Sequence, residues 1–226
     1  MDEIDTSALS TRLQALISDT HHKESECKEL LTHARDILVK ATPSRYIDQD
    51  SEYRGHTGDS DYLVICATLD EAGQECIEAY VWEAKAPQCF LFEPDTETRV
   101  RPTKEFVSAE NQLLHYFAEL QDSEQFKEEF NITHHENIKL GGIIIGSRKR
   151  LVKSSSYSQS KTTRLFKRAL NVRKRYLYGQ SGIKVMTWDD ILDYLKGGSP
   201  PKRQAVKQGR VSITITGILN VVTSDD

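Results

Sequence analysis

The sequence predicts an α/β protein, a mixed β-sheet flanked by helices, and three observations predict it. Apolar residues recur at helical spacing in three separate stretches, 7–40, 103–120 and 162–178. Two adjacent apolar runs, DYLVICATL and CIEAYVWEAKA, are joined only by the turn-like DEAGQE, which makes an antiparallel hairpin. Two later strands, LGGIIIGS and IKVMT, are each preceded by a helix, and strands separated by helices pack into a common sheet.

In chain order, Leu9, Leu13, Leu16 and Ile17 share one helix face, and Leu30, Leu31, Ala34 and Leu38 continue the pattern after the polar break DTHHKESE. Residues 43–60 are turn-rich and read as irregular. After the hairpin, PQCFLFEPDTETRVRP is an excursion from the sheet. The helix from about Thr103 to Leu120 buries Phe106, Leu113, Leu114, Phe117 and Leu120, and a second short helix covers 122–130. LGGIIIGS is a buried strand ended by a glycine, and KSSSYSQSKTT is a polar loop. A basic helix over 162–178 leads to IKVMT and then to WDDILDYL. Thr187 caps that last helix, with Asp189 and Asp190 in the first turn where the dipole favours them. GGSPPKRQ is a linker and VSITITGILNVV a late strand, so the chain divides into a domain at 1–196 and an appendage at 197–226. No internal repeat is present.

The net charge of −4 conceals an asymmetry. Residues 1–146 carry 29 acidic and 13 basic side chains, whereas 147–226 carry 5 and 17. From Ser147 to Lys184 there are 12 Lys or Arg and no acid, a block that suits a polyanion. The alternative is a face that balances the acidic half, within the molecule or between copies. Arg148, Lys149, Arg150, Lys161, Arg164, Lys167, Arg168 and Arg175 are the candidate phosphate contacts, which position DNA without reading its sequence.

The four cysteines, Cys27, Cys66, Cys76 and Cys89, have no CxxC spacing, which argues against zinc and against a disulfide framework. No apolar run approaches the roughly 20 residues of a membrane helix, and MDEIDTSALS lacks the order of a signal peptide. A reducing cytoplasm is the expected setting. His21–His22 and His134–His135 are surface histidines, since adjacent side chains on one element point apart.

The chemistry concentrates in YVWEAKAP. Alternation places Val81, Glu83 and Lys85 on one face of the strand and Tyr80, Trp82 and Ala84 on the other. Asp61 opens the preceding strand, within reach of Glu83 if the register permits. Two carboxylates and a lysine around a hard cation are the parts that hydrolyse a phosphodiester. The competing reading is an exposed cross-strand ion pair worth about 0–1 kcal/mol.

An acid opening one strand and E-x-K near the end of the next resembles the PD-(D/E)xK nuclease superfamily. Gln112, in SAENQLLHYFAEL, lies on the following helix, where several branches carry a glutamine. IKLGGIIIGS, a basic segment and IKVMTWDDILDYL resemble the Shedu-type (SduA C-terminal) domain, over about Glu26 to Leu195. The resemblance implies a restriction-endonuclease-like core and a Mg²⁺- or Mn²⁺-dependent DNA nuclease of bacterial anti-phage defence, often a homo-oligomer. It implies that Asp61, Glu83 and the Ala84 carbonyl hold the metal, that Lys85 acts on the water and that Gln112 supports the site. A glutamate on the first helix often completes such sites; Glu26 and Glu29 are the candidates, with Glu29 taken forward. The run GDSDYL lacks the proline the family places before its aspartate, which leaves Asp59 a rival to Asp61. The large N-terminal regulatory region of some members has no counterpart, so the trigger is open. The other function classes are a nucleic-acid-binding module on the same fold, and an assembly protein whose acidic and basic halves join between subunits.

Overall fold

In a computed structural model, the structure describes residues 6–33, 38, 45–48, 62–69 and 74–197. Helices α1 (Thr6–Ser18) and α2 (Glu24–His33) are followed by the strand β1 (Arg45–Asp48) and the hairpin β2 (Tyr62–Leu69) and β3 (Glu75–Ala84). A two-stranded ribbon, β4 (Phe92–Pro94) and β5 (Val100–Pro102), leads to α3 (Lys104–Asp122) and the short α4 (Glu124–Glu129). Then come β6 (Ile138–Ile144), α5 (Gln159–Arg173), a π-helical turn (Lys174–Tyr178), β7 (Lys184–Met186) and α6 (Trp188–Leu195).

The protein is a mixed α/β fold. Its main sheet has the order β1-β2-β3-β6-β7, antiparallel from β1 to β3 and parallel from β3 to β7. The change of direction falls at β3, because only five residues separate β2 from β3 while β6 is reached only after α3 and α4.

Strand alternation divides the core. Tyr62, Val64, Tyr80, Trp82, Ala84, Ile144 and Met186 pack with α1, α2 and α6. Leu63, Ile65, Ala79, Val81 and Ile143 pack with α3, α4 and α5. Glu83 continues the alternation of Ala79 and Val81 on this second face, and Lys85 follows just beyond the end of β3.

Two glycines in β6 make room for Trp82. The register slips between Val81, opposite Leu140, and Trp82, opposite Gly142, leaving Gly141 as a bulge. A Cβ on Gly141 would stand 2.3 Å from Trp82 Nε1, and one on Gly142 2.4 Å from the Lys184 carbonyl oxygen. Gly146 has φ +65°, ends β6, donates its N–H to the Ala86 carbonyl and accepts from Trp188 N–H.

The caps follow the sequence. Thr103 Oγ1 accepts from Phe106 N–H at 3.2 Å to start α3, and Ser123 caps α4 in the same way. Thr187 caps α6, with Asp190 Oδ2 accepting from the Thr187 N–H at 2.8 Å. Arg173 from α5 and Tyr178 from the π turn both donate to Glu110 of α3, and burial, ahead of the Glu110 contact, holds the Tyr178 hydroxyl above its ordinary range.

Four features depart from the expectations. Leu114, placed on the buried face of α3, is 47% exposed. β1 forms within a stretch read as irregular, pairing along the outer side of β2. The excursion contains the β4–β5 ribbon, whose Phe92 packs edge-on against Phe106 at 5.6 Å between ring centroids. The end of the basic helix is a π turn, not a regular one. The late strand at 211–222 and most of the appendage lie outside the described residues. Among the described residues no helix is long and apolar enough to cross a membrane.

Candidate functional site

The E-A-K segment lies at the end of β3 and is held on two sides. On one side Glu83 pairs with Ile143 and Ala84 with Ile144, and the Lys85 N–H donates to the Ile144 carbonyl at 2.8 Å. On the other, the indole Nε1 of Trp188 donates to the Lys85 carbonyl at 2.6 Å. The first residue of α6 thus fixes the backbone at the lysine.

Glu83 is 1% exposed, and its Oε1 lies 2.7 Å from Lys85 Nζ. This excludes the exposed strand-face pair. Burying two charges costs several kcal/mol per ion before their attraction is counted, so such a pair is a poor device for stability alone. Lys85 Nζ also lies 3.6 Å from Glu24 Oε1, at the first residue of α2.

Glu24, not Glu26 or Glu29, is the helix glutamate that the structure brings to Lys85. Glu29 is exposed and pairs with Arg12 at 3.2 Å, and Glu26 pairs with Lys23 at 2.8 Å. The sequence carries no signal that singles out Glu24: it stands beside Glu26 in the polar stretch DTHHKESE, where helical spacing does not choose between acids. Its placement depends on Gln88, three residues beyond Lys85. The Gln88 amide donates to the carbonyls of Leu16 (2.8 Å) and Asp19 (3.2 Å) and accepts from Lys23 N–H (3.0 Å). One side chain thereby ties the end of α1 and the start of α2 to the end of β3.

Burial would raise the Glu24 carboxyl. The hydrogen bond from Lys28, the charges of Lys28 and Lys85 and the Ala86 N–H outweigh it and hold the group below its ordinary value. A depressed carboxyl contributes stability that is complete above its unfolded value, near 4.5, and is lost as pH falls through the lower folded value. Glu24→Gln is therefore expected to melt below wild type at pH 6–7, with the gap closing as the pH drops below about 4. Melting curves from pH 3 to 7 check this; a gap that does not change with pH would show that the Glu24 charge does not matter.

Gln112 lies on α3, between Ala109 and Leu113 of the packed face, and is half-buried. Its Oε1 is buried with no hydrogen-bond partner among the described residues. Asp61 and its rival Asp59 lie outside the described residues. Among the described residues no three His, Cys, Asp or Glu side chains are grouped closely enough to hold a metal. The oxygens offered by Glu83, the Ala84 carbonyl and, in sequence, Asp61 are of the kind a hard cation takes. His134 and His135 are exposed, as are the His21 and His22 rings. Cys27 and Cys89 are buried, and burial pushes the Cys27 thiol up to about 12 and Cys89 to about 11, which favours the protonated form near neutral pH.

The basic block divides into committed and open cations. Arg148 is tied to α6, pairing with Asp190 at 3.4 Å and with Asp193, while its N–H donates to Asp189 Oδ2. Its charge is offset there, so it is not among the open cations. Arg173 is spent on Glu110. Lys149, Arg150, Lys161, Arg164, Lys167, Arg168, Lys174 and Arg175 form no ion pair within 4 Å among the described residues. Three of these lie over rings: Arg150 over Phe90 (5.1 Å), Lys161 over Tyr157 (3.7 Å) and Arg175 over Tyr176 (5.3 Å).

No protein-family model matches the chain, and no curated protein matches it.

Proposed function

We propose that this chain is a metal-dependent DNA endonuclease of the PD-(D/E)xK superfamily, of the Shedu type, acting in bacterial anti-phage defence with little sequence specificity. A cytoplasmic homo-oligomer belongs to the same reading. Glu83 is the observation that carries it: a glutamate 1% exposed at the end of a central strand, facing a lysine two residues on. The strand order supports a restriction-endonuclease-like core, with an antiparallel hairpin bearing the motif and two parallel strands beyond it.

In this reading Glu83, the Ala84 carbonyl and Asp61 hold Mg²⁺ or Mn²⁺, which when bound acidifies a water and offsets charge on the phosphate. Glu83 is kept from bulk water, so its charge is weakly screened. Lys85 is held between Glu83 and Glu24, and the Trp188 bond to its carbonyl fixes the strand end from which it projects. It orients the attacking water or takes part in its deprotonation. Gln112 offers the site a buried carbonyl oxygen not otherwise used among the described residues. The open cations hold the backbone phosphates.

Supercoiled and linear DNA, incubated with Mg²⁺ or Mn²⁺ and with EDTA, test this. Cutting in metal alone is expected. Metal should also raise the melting temperature of wild type and not of Asp61→Ala or Glu83→Gln. DNA bound in a salt-sensitive way but left uncut in every metal would sink the enzyme. The second reading, a nucleic-acid-binding module on this fold, is favoured by one distance: at 2.7 Å the Lys85 ammonium already answers the Glu83 charge.

A further inference from the structure

The outer face of α5 and of the π turn that follows it carries apolar side chains that folding leaves in solvent. Val172 is 53% exposed, Tyr176 70% and Leu177 58%. Arg164, Lys167, Arg168, Lys174 and Arg175 are exposed around them and form no ion pair among the described residues. The π turn produces this arrangement. Arg173 points inward to Glu110, and in a regular α-helix the next inward positions would be three and four residues on, at Tyr176 and Leu177. The wider turn delays the return by one residue, so that Tyr178 reaches Glu110 instead, and Tyr176 and Leu177 are turned out. Such turns are rare and recur at functional sites.

The surrounding charge selects a polyanion. A duplex offers phosphates but keeps its base faces in the stack, and would leave Tyr176 in water. A single strand offers phosphates and π-faces together, the combination this surface matches. We propose that the turn Lys174–Tyr178 is a base-stacking platform for single-stranded DNA. Tyr176, backed by the Arg175 guanidinium 5.3 Å from its ring centroid, stacks on an unpaired base, with Leu177 beside it and the cations on the phosphates. The proposal rests on the DNA-binding reading above and specifies the form of DNA.

The test is fluorescence anisotropy with labelled oligo-dT of about 15 nucleotides and a duplex of the same length, in EDTA so that neither is cut. Tyr176→Ala is expected to weaken binding of the single strand about tenfold and of the duplex less than about twofold. Tyr176→Phe keeps the wild-type affinity, and the salt slope is unchanged because no charge is lost. Equal losses on both probes, or none on either, overturn the platform. So does a change of oligomeric state by light scattering with oligo-dT affinity intact, which would make the face a contact with a second copy. Lys85→Ala, measured beside these, separates the two readings: stacking with no cutting in wild type counts against the nuclease, and cutting without stacking counts against the platform.

Discussion

Lys85→Ala is expected to lose metal-dependent cleavage by a factor of about a thousand or more, while binding of DNA in EDTA stays near wild type. In the proposed reading the phosphates are held by the open cations and not by Lys85, so affinity should not follow activity. Its loss has a second consequence. Glu83, at 1% exposure, loses the counter-charge of Lys85 that lies 2.7 Å from its Oε1. Removing one partner of a buried pair typically costs about 3–5 kcal/mol, so the single variant is expected to melt early. The double variant Glu83→Gln/Lys85→Met removes both charges, and is expected to recover most of that stability and none of the cutting. Nicking of supercoiled plasmid, read beside thermal melts, distinguishes the cases. A Lys85→Ala protein that melts as wild type and still cuts would place the chemistry elsewhere. A double variant that recovers activity along with stability would reduce the lysine to a structural counter-ion.

Gly142→Ala is expected to be the most damaging small substitution in the sheet, at about 3 kcal/mol, or a fall of about 6–12 °C in melting temperature. The added methyl meets the Lys184 carbonyl oxygen at 2.4 Å, a backbone atom fixed by the β6–β7 pairing, and Trp82 Cζ3 at 2.7 Å. Gly141→Ala clashes as closely, but all three nearest atoms belong to the Trp82 indole, between 2.3 and 2.6 Å away. The two glycines should therefore respond differently to Trp82→Leu. Gly141→Ala is expected to cost at least about 2 kcal/mol alone and under about 0.5 kcal/mol in the leucine background, while Gly142→Ala stays costly in both. Equal rescue of the two would mean that β6 and β7 can part at little cost. Trp82 Nε1 is itself buried without a hydrogen-bond partner among the described residues, as fits a ring placed for packing directly against β6 backbone.

The hairpin, α3, the basic helix and the capped final helix were legible because each carries its signal within a few residues: period-two or period-3.6 apolar spacing, a turn, or the cap at Thr187. Glu83 and Lys85 were legible as a pair for the same reason, since two residues on one strand must share a face. That Glu83 is buried was not legible. It follows from tertiary contacts distant in sequence, among them β6 lying alongside β3 with Ile143 opposite Glu83.

By itself the sequence determined the order of helices and strands, the strand face shared by Glu83 and Lys85, and the separation of acidic from basic halves, all of which depend on neighbours along the chain. Tertiary structure alone decided the rest. β1 has only four residues and exists because β2 offers an unpaired edge. Glu24 reaches Lys85 because Gln88 ties two helix ends to a strand far from them in sequence. Arg148 and Arg173 are drawn from the basic block by acids on other elements, and the demand of Glu110 for Tyr178 accompanies the π turn that puts Tyr176 in solvent. In each case the deciding partner lies beyond the reach of local periodicity, because burial and ion pairing depend on distance in space.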